Sequence, residues 1–191
     1  RWEWRGVLWA VAIVSMVLGA VIGLTQTDIK RMVAYSSVAH AGFLLLGAMA
    51  ITEAGTSGTL FYLLAYGFTT LAVFGVISLV RTADGEATHL SQWAGLAQRS
   101  PLTAAVMSLF LLALAGIPLT SGFTGKFAVF RAAIEDGAWP LVLVALLASA
   151  VAAFFYLRVI VLMYFSSPAE EGPTVGVPGL PTTVVLAVTA T

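Results

Sequence analysis

Apolar residues fall in long runs separated by short polar links. Five runs stand out, at 7–24, 32–51, 59–80, 101–134 and 138–165, and a sixth begins near Leu180. A helix needs ~20 residues to cross the hydrocarbon core. The pattern predicts transmembrane helices at about 7–24, 28–51, 58–81 and 138–165, the last long enough to tilt. The fourth run does not fit one straight span. As a single helix it would reach roughly 50 Å across a core of about 30 Å. Two full spans and a turn do not fit either. The prediction is one span over 101–136, broken near 118–124. Pro118 removes a backbone donor and crowds the preceding turn, while Gly122 and Gly125 ease irregular backbone. Freed backbone groups in lipid need partners, so the break is expected inside a bundle. Thr120, Ser121 and Thr124 offer hydroxyls there.

The links add detail. Residues 25–31 form a tight polar link, with Thr27 or Asp28 placed to cap the next helix. In the longest link, 81–101, Leu90, Trp93 and Leu96 recur every third residue, which predicts a short amphipathic helix at the membrane surface over 82–100. Residues 166–181 are a loop rich in proline and glycine. Trp2, Trp4, Trp9, Trp93 and Trp139 lie near run ends, as aromatic belts do. Alternate links carry Lys30, Arg31, Arg81 and Arg99, against Arg1, Arg5 and Arg131 on the other side. That bias places 25–31 and 81–101 in the cytoplasm.

Composition changes the picture from a helical chain to a membrane chain. Of 191 residues, 60% are hydrophobic and 9% charged, where a soluble domain carries roughly 25% charged residues. The fold class is an all-α integral membrane protein, a polytopic helix bundle. Net charge is zero, which gives no electrostatic case for nucleic acid. Cysteine is absent and the two histidines have no metal-ligand spacing, so no disulfide, metal site or cofactor site is expected in this chain. RWEWRG at the start and TTVVLAVTAT at the end look cut, so the chain is expected to be part of a longer protein.

Lys126 is the first candidate for chemistry. It is the only charged residue between Arg99 and Arg131, and it sits just past the expected break. A lysine at helix centre costs ~2.5–3.5 kcal/mol on insertion scales, which makes an idle one improbable, and an amine held out of water can exchange protons. The alternative places it nearer an interface, snorkelling to water. His40 is second, roughly 18 Å along its helix from Asp28. Tyr35, Ser36 and Ser37 lie about one turn before it. Proton relay and hydrogen-bonded packing glue both suit such a histidine. Tyr62, Tyr66 and Thr69 or Thr70 follow the helical period and form a polar stripe. The stripe lines a hydrated interior, or its hydroxyls bond their own helix. Arg158 does not release its proton and is read as structural or interfacial.

Two stretches carry a resemblance. LTQTDIKRMVAYSSVAHAGFLLLG (24–47) and LALAGIPLTSGFTGKFAVF (112–130) resemble hallmark segments of the antiporter-like membrane subunits of respiratory complex I, the proton-pumping NADH:quinone oxidoreductase. FYLRVIVLMYF (155–165) is most similar to the N-type subunits of that group. The resemblance implies a fold of fourteen helices with two inverted five-helix repeats, of which this chain would hold the second repeat and the start of the last helix. It implies that Lys126 is the broken-helix lysine at an outlet half-channel and that His40 lies near a central polar axis. Tyr35, Ser36, Ser37, Tyr66, Thr69, Thr70, Thr120, Ser121 and Thr124 would support that axis. The implied function is proton translocation driven by quinone reduction elsewhere, in a bacterial plasma membrane. Flavin, iron–sulfur clusters and quinone would belong to partner subunits, and the partners would be the other membrane subunits, the bilayer and, indirectly, the peripheral redox arm. Two alternatives stand beside it: a subunit of a multisubunit Na⁺/H⁺ antiporter, and a structural spacer that conducts nothing.

Overall fold

Capping sets the helix starts. Asp28 accepts the Arg31 amide at 2.9 Å, and Thr52 accepts the Gly55 amide at 2.9 Å, each satisfying an otherwise free N–H. In the computed structural model, which describes residues 4–83, 85–168 and 172–176, the first elements are α1 (Arg5–Thr25), α2 (Ile29–Ala48) and α3 (Glu53–Leu79). Two short strands follow, β1 (Val80–Thr82) and β2 (Gly85–Glu86). Then come a 3-10 turn (Leu90–Trp93), α4 (Leu96–Arg99), α5 (Pro101–Ala115), α6 (Ser121–Glu135), α7 (Trp139–Phe165) and β3 (Thr174–Val175). The apolar run near Leu180 lies outside the described residues. α1, α3 and α7 are long and apolar enough to cross a membrane. α2 has 20 residues, enough for the core, but its hydropathy is lowered by Lys30, Arg31 and His40.

The protein is a helix bundle, with one addition to the all-helix expectation. β1 pairs antiparallel with both β2 and β3 to make a small sheet at one end of the bundle. The loop behind it is pinned to the start of α2. The Ile29 amide donates to Thr88, the Leu90 amide donates to Thr27, both at 2.8 Å, and Lys30 pairs with Glu86. The Leu90, Trp93 and Leu96 face exists, but Gly95 at φ +66° divides it between the 3-10 turn and α4. These side chains pack into the bundle core with Ile29, Val33 and Ile77. Trp93 is therefore no belt residue: it is fully buried, and its indole N–H donates to the Ala87 carbonyl at 2.8 Å.

The long fourth run breaks, as its length requires. α5 ends at Ala115, and Gly116 adopts φ +79° to turn the chain. Ile117 to Thr120 then make a turn closed by the Thr120 amide on the Ile117 carbonyl at 3.3 Å, with Pro118 second and Leu119 third at φ +78°. One expectation about this break is corrected. Gly122 and Gly125 lie within α6, where the backbone is regular. They serve close approach instead: a Cβ on Gly122 would overlap the Ala113 carbonyl oxygen, and one on Gly125 would stand 2.6 Å from Tyr62 Cδ2. The break itself is not interior to the described residues. Pro118, Ser121 and Thr124 are exposed, and Leu119 fully so. The reason is that α6 turns Gly122, Gly125, Lys126 and Val129 inward, which points the turn the other way.

Candidate functional site: a buried lysine beside a histidine and three tyrosines

Lys126 is 5% exposed. Its Nζ donates to the Leu114 carbonyl at 3.1 Å, to the Ala115 carbonyl at 3.0 Å and to Ser149 Oγ at 2.9 Å. Two of these acceptors are the last carbonyls of α5, which an unbroken helix would have bonded itself. The break thus creates the acceptors and the lysine fills them. α5 has no basic residue in its own last turn, so the amine also meets the negative end of the helix dipole. Gly116 completes the cradle, since a Cβ there would stand 3.0 Å from Lys126 Cδ and 3.2 Å from Nζ. Hydrogen bonds to a charged group contribute ~1.5–3 kcal/mol each. Three of them are enough to offset the cost of placing one amine at this depth. The snorkelling alternative is not what the side chain does.

His40 is 1% exposed and lies on the inner face of α2. Its Nδ1 shares a hydrogen bond of 2.6 Å with the Tyr62 hydroxyl, and its Nε2 one of 3.4 Å with the Tyr156 hydroxyl. Tyr66 stacks on the ring at a centroid distance of 4.4 Å. A neutral imidazole has one donor and one acceptor nitrogen. With a phenol at each, both tautomers are satisfied, so a proton taken at one nitrogen and released from the other leaves no bond unmade. Ser36, also fully buried, donates to the Val33 carbonyl at 2.8 Å. Phe43 touches both centres: Lys126 Nζ lies 5.3 Å from its centroid, and its ring meets His40 edge-on at 5.6 Å.

The remaining expected residues divide. Thr69 donates to its own helix at Ala65, Ser37 to Val33, and the Thr70 hydroxyl oxygen is buried with no partner among the described residues. Tyr35 is half-buried and packs beside Gly23 rather than on His40. Thr120 caps α6 by accepting the Phe123 amide at 3.3 Å, and Thr124 donates to the Thr120 carbonyl at 3.4 Å. Ser121 is exposed. Three contributors went unnoticed in the sequence: Phe43, Ser149 and Tyr156. A signal existed for two of them, because Ser149 and Tyr156 are polar and seven residues apart on one face of an otherwise apolar helix.

Residues 1–168 match the family described as NADH:quinone oxidoreductase/Mrp antiporter, transmembrane. The chain is 75% identical over 185 residues to NADH-quinone oxidoreductase subunit N of Saccharopolyspora erythraea, a match that covers 97% of this chain and 36% of that protein. It is 55% identical over 190 residues to the subunit N of Mycobacterium bovis, again covering 97% of this chain and 36% of that protein. The chain thus spans about a third of the length of these relatives. Among solved structures, respiratory complex I from Thermus thermophilus with bound aureothin superposes with a TM-score of 0.82 at 32% identity, over 97% of this chain and 42% of the other. The Mrp complex from Dietzia sp. superposes with a TM-score of 0.84 at 21% identity, over 98% and 43%, a likeness of fold. With several long apolar helices and bacterial relatives, this is a multi-pass protein of the plasma membrane. It belongs to the NADH:quinone oxidoreductase/Mrp antiporter transmembrane family, and within it is most similar to the N subunits.

Proposed function

We propose that this chain is part of a proton-translocating membrane subunit of a redox-driven NADH:quinone oxidoreductase. Protons pass along a polar axis through His40 and its tyrosines to Lys126, which stands at an outlet half-channel. The observation that carries this reading is the Lys126 amine, buried at the end of an interrupted helix and set against the same Phe43 ring as a histidine bonded at both nitrogens. His40 accepts and releases a proton by exchanging tautomers between Tyr62 and Tyr156. Lys126 holds the proton against the Leu114 and Ala115 carbonyls and gives it up when charge along the axis changes. The five spans act as the second of two inverted repeats, and the first belongs to the remainder of a longer protein. The subunit works with other membrane subunits of the complex and, through them, with a peripheral arm that holds flavin and iron–sulfur clusters. The names of the most similar relatives support the redox assignment.

The test is Lys126→Met in the complete protein within its assembled complex. NADH-driven proton release into vesicles is expected to fall by ~100-fold, the scale of a lost general acid–base group, while native gels show normal assembly. Unchanged pumping by an assembled Lys126→Met complex would favour a spacer. Copurification of the complete protein with flavin and iron–sulfur subunits separates the redox reading from a cation/proton antiporter, which the fold likeness to the Mrp complex also supports.

A further inference from the structure

Arg158 takes no part in the site described above, yet it lies two residues beyond Tyr156 on α7. Its guanidinium reaches the end of α1. Nη2 donates to the Gln26 carbonyl at 2.7 Å, and Nη1 to the Leu24 carbonyl at 3.4 Å. α1 has no basic residue in its last turn, so its C-terminal carbonyls take their cation from α7. The planar fork of arginine meets two acceptors at once, which an ammonium does less well. Phe155 adds a second hold, because its ring packs where a Cβ on Gly23 would stand 3.1 Å away. α7 is thereby fixed to α1 both sideways and along its axis.

That fixation bears on the site. α7 is one continuous helix from Trp139 to Phe165, so it moves as a rod. Of its two contacts with the site, Ser149 to Lys126 is 2.9 Å, but Tyr156 to His40 is 3.4 Å, at the outer edge of hydrogen-bonding range. A slide of about 0.5 Å along the axis breaks the second bond. We propose that Arg158 is a positioning residue: by gripping the last carbonyls of α1 it sets the depth of α7 and so keeps the Tyr156 hydroxyl on His40. This rests on reading His40 as a member of the proton path.

The experiment uses the full-length protein in its assembled complex and measures proton release per electron in vesicles. Arg158→Gln is expected to lower pumping ~5-fold, and Arg158→Lys, which keeps the charge but bonds one carbonyl, ~2-fold. Tyr156→Phe lowers it ~10-fold, and adding Arg158→Gln to Tyr156→Phe costs nothing further, because the arginine acts through the tyrosine. Wild-type pumping by Arg158→Gln overturns the inference, as do losses that multiply in the double variant. If Arg158→Gln fails to assemble, Arg158→Lys carries the same cycle. Its loss must then vanish in the Tyr156→Phe background, and either a persisting loss or no loss at all overturns the inference. Wild-type pumping by an assembled His40→Ala complex would instead overturn the relay reading beneath it.

Discussion

At the scale of single residues, the site depends on what is missing as much as on what is present. Gly125 has no side chain, and Tyr62 uses that space to reach His40: a Cβ there would stand 2.6 Å from Tyr62 Cδ2 and 3.1 Å from Tyr62 Cα. The Cα cannot yield without moving α3. Gly125→Ala is therefore expected to destabilise the protein by ~1–3 kcal/mol, the usual cost of overpacking. Thermal unfolding of the full-length protein in detergent measures this, and an unchanged midpoint would contradict the packing described. His40 shows the opposite case, a residue whose two polar atoms are both engaged by partners from different helices. Packing glue and proton relay are not exclusive here, since the bonds that hold the ring are the ones that would pass the proton.

At the scale of elements, the interrupted helix is the device on which the site is built. The interruption frees the Leu114 and Ala115 carbonyls, and these bind the amine carried by the following half. The turn between the halves has a weak point. Its third residue, Leu119, holds φ +78°, a conformation that costs a side chain with a Cβ roughly 1–2 kcal/mol. The side chain contributes nothing in return among the described residues, being fully exposed. Leu119→Gly is expected to raise stability by ~1 kcal/mol without touching Lys126. A lower unfolding midpoint for that variant would show that a partner outside the described residues covers the leucine. α7 plays the complementary role, with Ser149 on Lys126, Tyr156 on His40 and Arg158 on the end of α1.

At the scale of the whole molecule, legibility followed the solvent. Lipid demands about 20 apolar residues per span, so run lengths were enough to reveal the membrane class and to require a break in the fourth run. A charge within such a run is costly, so Lys126 stood out. The break's turn did not: the positive φ falls on Gly116, which is common, and on Leu119, which no sequence rule anticipates. The small sheet was invisible because its strands are two or three residues long and form only by pairing with one another, the third coming from the distant 174–175 segment. Partner choice was also out of reach. Periodicity put His40 on a face and Tyr62 on another helix's stripe, but which faces meet depends on packing that no single helix encodes. The same limit kept Ser149 and Tyr156, a polar pair on one face of α7, from being matched to Lys126 and His40.

The central claim is that the amine of Lys126, rather than its bulk, carries the proton. The chain contains no cysteine, so Lys126→Cys introduces a single thiol among these residues, and treating the assembled complex with an aminoethylating reagent restores an amine at nearly the same reach. NADH-driven proton release into vesicles is the measurement. It should be lost in Lys126→Cys, return on aminoethylation, and stay lost when a neutral alkylating reagent fills the same space. Pumping by the unmodified variant at the wild-type rate, or equal recovery with the neutral reagent, would contradict the account.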